Sequence, residues 1–186
     1  LYVFGIFPPT YTLTMQVDGG GSVSPAVGEY SHRSGVEISL NATPNTGYQF
    51  VSWSTSAGSI GNASRAQNQL TMPSSDAVVT ARFRLLEFDA RFENWDGELL
   101  TTVRVEHGSE PTPPEEPERE GYDFTGWNPP LAAVTADTTF VAEFEIRRYT
   151  VTFLDGTGEE MDIQTVEHGQ MPIFPENRQM PIFPEN

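Results

Sequence analysis

The chain has no cysteine and no lysine. Without cysteine there is no disulfide, no thiolate zinc site and no thiol nucleophile. Without lysine a P-loop is excluded, as are Schiff-base chemistry and an internal Lys–Asn isopeptide bond, and all ten cationic side chains are arginine. No apolar run reaches the roughly 18 residues that a spanning helix needs. Histidine is scarce, with three copies. The opening stretch Leu1 to Phe7 is apolar but has neither a basic n-region nor a small-residue cleavage site, so it does not read as a signal peptide.

What is present is turn-forming and apolar in balance. Sixteen Gly and 15 Pro are spread over 186 residues of which 37% are hydrophobic, enough apolar material for packed cores. Gly and Pro at that density cut a chain into short elements. No segment shows a long amphipathic helical period. The composition therefore predicts an all-β to β-rich α+β fold. The net charge of −16 is unevenly placed: residues 1–84 balance four acids with four Arg, whereas residues 85–186 hold 22 acids and six Arg. Such a surface repels nucleic acid, anionic membrane and sulfated glycans, and it keeps a protein soluble.

Internal similarity is the most informative feature. An offset of 61 residues superimposes Phe88–Gly108 on Tyr149–Gly169, aligning Phe88 with Tyr149 and Phe92 with Phe153. Val-Glu-His-Gly then recurs intact at 105–108 and 166–169. An offset of 74 aligns Gly47-Tyr48-Gln-Phe50-Val-Ser-Trp53 with Gly121-Tyr122-Asp-Phe124-Thr-Gly-Trp127. Farther on, Asp76 to Phe83 aligns with Asp137 to Phe144 at 61 again. The difference of 13 predicts an insertion at 54–71, polar and Gly/Ser-rich, expected as a surface loop. The reading is a leader (1–10), a divergent module (11–84), a complete module (85–146) and a truncated one (147–186). Short linkers would join them as a semi-rigid rod.

Period-2 alternation predicts strands at Tyr11 to Met15 and Tyr149 to Phe153, the latter with Tyr149, Val151 and Phe153 on one face. Gly-bearing turns follow at Asp18–Gly21, Asn94–Gly97 and Asp155–Gly158, and strands return over Leu100–Val105 and Met161–Val166. The Pro-rich stretch Glu110 to Glu120 is neither central strand nor helix and is expected as an extended crossover. Tyr122 and Phe124 share a face of a flat strand, but Trp127 lies three residues on. Gly126 is therefore expected to permit a bulge that turns Trp127 inward. The expected core comprises Tyr48, Phe50, Trp53 and Phe83 in the first module, then Phe88, Phe92, Tyr122, Phe124, Trp127 and Phe144 in the second. Tyr149, Val151 and Phe153 complete it in the third.

These residues resemble the bacterial Listeria–Bacteroides repeat, or internalin B-repeat. Residues 88–144 carry its pattern nearly throughout, including Arg119-Glu-Gly-Tyr-Asp-Phe-Thr-Gly-Trp127. Residues 149–169 carry its first half, and 11–83 resemble the divergent form with Ala42-x-Pro44-x-x-Gly47-Tyr48-x-Phe50-x-x-Trp53. The resemblance implies a ubiquitin-like β-grasp variant in each module and a role in extracellular stalks of the bacterial cell surface, some of them adhesive.

Catalytic and metal readings find little to stand on. His107 and His168 hold equivalent places, with His32 alone as a further imidazole. Asp155-Gly-Thr-Gly-Glu-Glu160 lacks the alternating ladder of a calcium loop, and no Gly-x-Ser-x-Gly elbow occurs. No catalytic residue, cofactor or metal is assigned. The expected partners are other modules of the same protein, neighbouring copies or a host or cell-surface ligand, with neither nucleic acid nor membrane insertion. Alternatives are a filament subunit completed by strand donation and an accessory region of a secreted hydrolase. For the filament, Tyr2, Val3, Phe4 and Ile6 of the apolar leader are the candidate donor strand. Gln170–Asn177 recurs verbatim at Gln179–Asn186, in step with neither module period.

Overall fold

A computed structural model describes residues 8–175. The candidate donor residues Tyr2, Val3, Phe4 and Ile6, and the second copy of the C-terminal octapeptide, lie outside them. All regular elements among the described residues are strands. The chain packs as two compact units. The first runs through Asp89 and adds Arg104–Pro111 and Ala133–Asp137; the second holds Ala90–Val103, Thr112–Ala132 and the residues from Thr138 on.

Two mixed four-stranded sheets share one plan. Eight strands come first: β1 (Thr10–Asp18), β2 (Gly21–Ser24), β3 (Gly28–Arg33), β4 (Glu37–Pro44), β5 (Tyr48–Thr55), β6 (Ser59–Ile60), β7 (Gln67–Thr71) and β8 (Ala77–Leu85). One sheet has the order β3-β1-β8-β5, with β1 parallel to β8 and β5 antiparallel to it. Next come β9 (Glu87–Glu93), β10 (Leu99–Glu106), β11 (Tyr122–Asn128) and β12 (Thr138–Ile146), ordered β10-β9-β12-β11. Here β9 runs parallel to β12 and β11 antiparallel to it. Second, first, fourth, third, with the inner pair parallel, is the order of a β-grasp sheet. A parallel pair needs a long crossover. In the second sheet it includes the extended Pro-rich segment between β10 and β11, as the prolines require, with no helix among the described residues.

The inner strands also match in register. Met15 lies opposite Val79 and Phe92 opposite Phe140, four side chains that are fully buried. In the first unit the face of the mixed sheet is covered by a companion sheet, β2-β4-β7-β6. Leu13, Met15, Val79 and Trp53 from one layer pack with Ile38, Leu40 and Leu70 from the other. In the second unit aromatic bulk fills the core instead. Phe92 stacks on Phe140 at 5.1 Å between ring centroids and meets the Trp127 ring edge-on at 4.9 Å.

The bulge expected at Gly126 is present, and the first sheet has a second one that was not expected. The pairing register shifts between Phe124 and Gly126, and likewise between Phe50 and Ser52. Thr125 and Val51 are the extra residues, which brings Trp127 and Trp53 to the buried face. Ser52 occupies the place of Gly126, so the bulge does not depend on glycine. Its cause is the need to bury both the aromatic at its start and the Trp three residues on.

Three expectations are corrected. The insertion at 54–71 is not a plain surface loop: β6 and β7 lie in it, and Leu70 is fully buried opposite Ile38. With one apolar residue in Gln67–Thr71, no alternation marked the strand; β4 recruits it by offering a hydrogen-bonding edge and an uncovered core. The Asp18–Gly21 turn does not close a hairpin, because β1 pairs with β3 while β2 pairs with β4. Tyr149 is not a core residue. It lies on β13 (Arg148–Leu154), paired with β14 (Glu160–Glu167) in a two-stranded sheet, and is 46% exposed. Among the described residues no second layer covers that hairpin, and two strands alone cannot enclose a ring. Val151 and Phe153 are half-buried, the latter edge-on to Phe174.

Candidate functional surfaces and the joints between repeats

The core aromatics fall in two ranks. Trp53, Phe83, Phe92 and Trp127 are buried, whereas Tyr48, Phe50, Phe88, Tyr122, Phe124 and Phe144 are half-buried. Phe50 lies against Trp53 and Phe83, both at 5.7 Å, and Phe124 repeats this against Trp127 and Phe144 at 5.4 and 5.7 Å. These rings seal one end of each mixed sheet. Phe140, missed in the sequence, holds the place of Val79, and the alignment at 61 could have exposed it.

Potential chemistry is dispersed. Among the described residues no three His, Asp or Glu side chains converge in a geometry that could hold a metal ion. The Asp155 carboxylate is spent on its own turn: Oδ1 accepts hydrogen bonds from Thr157 N and Oγ1 and from Glu159 N. Those bonds, the Thr157 hydroxyl first, hold its pKa below the usual 3.8 by favouring the charged form. An open cleft of about 720 Å³ runs beside the Pro-rich crossover, lined by Glu116, Glu118, Glu120 and Asp123 with Arg119 and Arg147 among others. The Arg119 guanidinium lies 3.7 Å from the Tyr122 ring centroid and 4.1 Å from that of Trp95. This sandwich fastens the Asn94–Gly97 turn to the crossover. Arg147 donates from Nε to Asp123 Oδ1 at 2.7 Å, an exposed pair that contributes little to stability. Its hydrogen bond, then its charge, raise the Arg147 pKa.

The aspartates that open the closing strands have a defined task. Asp76 Oδ1 accepts from Thr12 N at 2.7 Å, and Asp137 Oδ1 accepts from Asp89 N at 2.9 Å. Each caps a backbone donor on the neighbouring inner strand where the ladder has not yet begun. The recurring Asp of the sequence is thus a strand clasp.

The two Val-Glu-His-Gly histidines occupy matching joints. In the first unit the Leu86 amide donates to Gly47 O at 2.7 Å, and Leu86 O accepts from the His107 amide at 2.8 Å. The His107 ring lies over Gly47 and is tilted against Phe88 at 6.1 Å. In the second unit Arg147 donates to Gly121 O at 2.8 Å and accepts from the His168 amide at 2.8 Å. There the His168 ring lies over Gly121, tilted against Tyr149 at 6.0 Å, with Nδ1 3.3 Å from the Tyr149 hydroxyl. His32 stands apart on β3, stacked on Tyr30, and its Nε2 is buried without a hydrogen-bond partner. His107 and His168, equivalent in the sequence, are both half-buried in these joints.

Comparison with known proteins agrees with this picture. Residues 11–86 match the divergent InlB B-repeat domain, and residues 88–143 match the Listeria-Bacteroides repeat domain. A protein of Evansella cellulosilytica, provisionally named a Gly-rich membrane protein, is 26% identical over 143 residues, which cover 70% of this chain and 17% of the relative. A second, provisionally named a membrane protein, is 26% identical over 186 residues, 89% of this chain and 26% of its own length. The chain thus spans about a sixth and a quarter of the two relatives. Among the described residues no helix is long and apolar enough to cross a membrane. Residues 11–86 and 88–143, which share the sheet order and the bulge, are therefore repeat domains of the divergent InlB B-repeat and Listeria-Bacteroides kinds.

Proposed function

We propose that this chain is a non-enzymatic, extracellular spacer or adhesion-stalk segment of a bacterial surface protein, with successive repeats at 11–84, 85–146 and from 147 onward. The observation that carries the reading is recurrence: one strand order, one inner register and one clasp appear twice, in segments that share the repeat family. Repetition of a small folded unit adds length without adding chemistry. The dispersal of ionisable groups supports the same reading, since a catalytic centre needs them convergent. The acidic surface favours neighbouring repeats or a neutral or basic cell-surface ligand over nucleic acid. The test replaces residues 11–146 in the full-length protein with an unrelated β-domain pair of similar length. A spacer tolerates the exchange, and surface display and attachment to cells persist. Loss of attachment with display intact would contradict a purely structural role and place a ligand site in the repeats.

A further inference from the structure

We infer that the His of Val-Glu-His-Gly and the Gly that opens Gly-Tyr-x-Phe are the two halves of a head-to-tail joint, so that the docking partner of each repeat is the next copy of the repeat. This rests on the spacer reading for its biological sense, but on geometry alone for its existence. The two joints agree contact by contact. One linker residue, Leu86 or Arg147, donates its amide to the preceding glycine carbonyl and accepts from the following histidine amide, with all four distances at 2.7–2.8 Å. The linker side chains are unlike, one aliphatic and one cationic. What the joints share is therefore backbone, imidazole and glycine.

The glycine is required for two separable reasons. Its φ is +80° at Gly47 and +76° at Gly121, a conformation that L side chains rarely adopt. Independently, a Cβ added at Gly47 would sit 2.5 Å from His107 Nδ1, and one at Gly121 would run into the His168 ring. The imidazole thus occupies the space that the absent side chain leaves. Phe88 or Tyr149 also lies against the ring, tilted at about 6 Å. The central repeat carries both halves, His107 toward the preceding repeat and Gly121 toward the following one. An interface of two unlike halves can be repeated from one copy to the next, because each copy carries both halves.

The test uses the full chain and a double-mutant cycle on Gly47→Ala and His107→Ala, with unfolding of the first repeat and amide exchange of Leu86 as readouts. If the ring fills the glycine's space, removing the ring relieves part of the alanine's effect. The unfolding constant should then change on the order of tenfold less for Gly47→Ala in the His107→Ala background than in the parent. Leu86 N–H should be protected in the parent and exchange about tenfold faster or more in Gly47→Ala. Additive effects together with an unprotected Leu86 amide would overturn the joint and leave Gly47 as a turn residue only. Neither readout depends on where the parent protein resides, so the joint can fail while the spacer reading stands, and the reverse.

Discussion

Replacing Trp127 with alanine probes how a unit with a single mixed sheet holds together. Trp127 is buried to all but 8% of its surface and touches Phe92 and Phe124. An aromatic side chain buries about 150–250 Å², or about 4–6 kcal/mol at ~25 cal/mol per Å². The extended-chain reference overstates that area by roughly 10–40%, which brings the loss to about 3–5 kcal/mol, the usual range for Trp→Ala. A repeat of this size commands about 3–9 kcal/mol in total. The second repeat should therefore lose most of its stability, while the first repeat, whose Trp53 lies in a two-sheet core and donates Nε1 to Ala66 O, stays folded. Urea titration of the full chain, read by amide exchange in β9 and β12, should show a midpoint lowered by about 2 M. A loss under about 1 kcal/mol would refute the reasoning, because it would mean that Phe92 and Phe140 close the core without the indole.

Two further outcomes follow from the clasps and turns. Asp137→Ala should cost about 1 kcal/mol through loss of the hydrogen bond to the Asp89 amide, whereas Asp137→Asn, which keeps the acceptor, should cost much less; equal losses would exclude the clasp. Asp155 has a lowered folded pKa, so its contribution is present above the ordinary 3.8 and is lost as pH falls through the folded value. An NMR titration should accordingly show Asp155 protonating below its unfolded counterpart as the Thr157 and Glu159 amide signals shift together; an ordinary titration midpoint would contradict the turn.

Much of this molecule was legible because repetition marks it. Gly-Tyr-x-Phe and the Trp three residues beyond, met twice, marked strands β5 and β11, and at β11 the glycine marked the bulge as well. The prolines of 110–120 excluded a central strand and a helix by their chemistry alone, since a proline nitrogen has no hydrogen to donate to either ladder. What stayed hidden depends on contacts between distant segments. Strand β7 carries one apolar residue and is a strand because β4 needed a neighbour. The role of the recurring Asp required knowing which backbone amide lies opposite it. Likewise, His107 reads as a strand-end polar residue until the chain before it folds Gly47 beneath its ring. Alternation at Tyr149 correctly gave a strand, but burial needs a second layer, which alternation alone does not supply.

The most direct measurement of the central claim is surface exposure of the repeats in the organism's own full-length protein. Intact cells would be treated briefly with protease, and the released peptides identified before any lysis. Peptides from the segment spanning 85–146, together with antibody labelling of unpermeabilised cells, are the expected result. Repeats that become cleavable and labelled only after lysis would contradict an extracellular spacer.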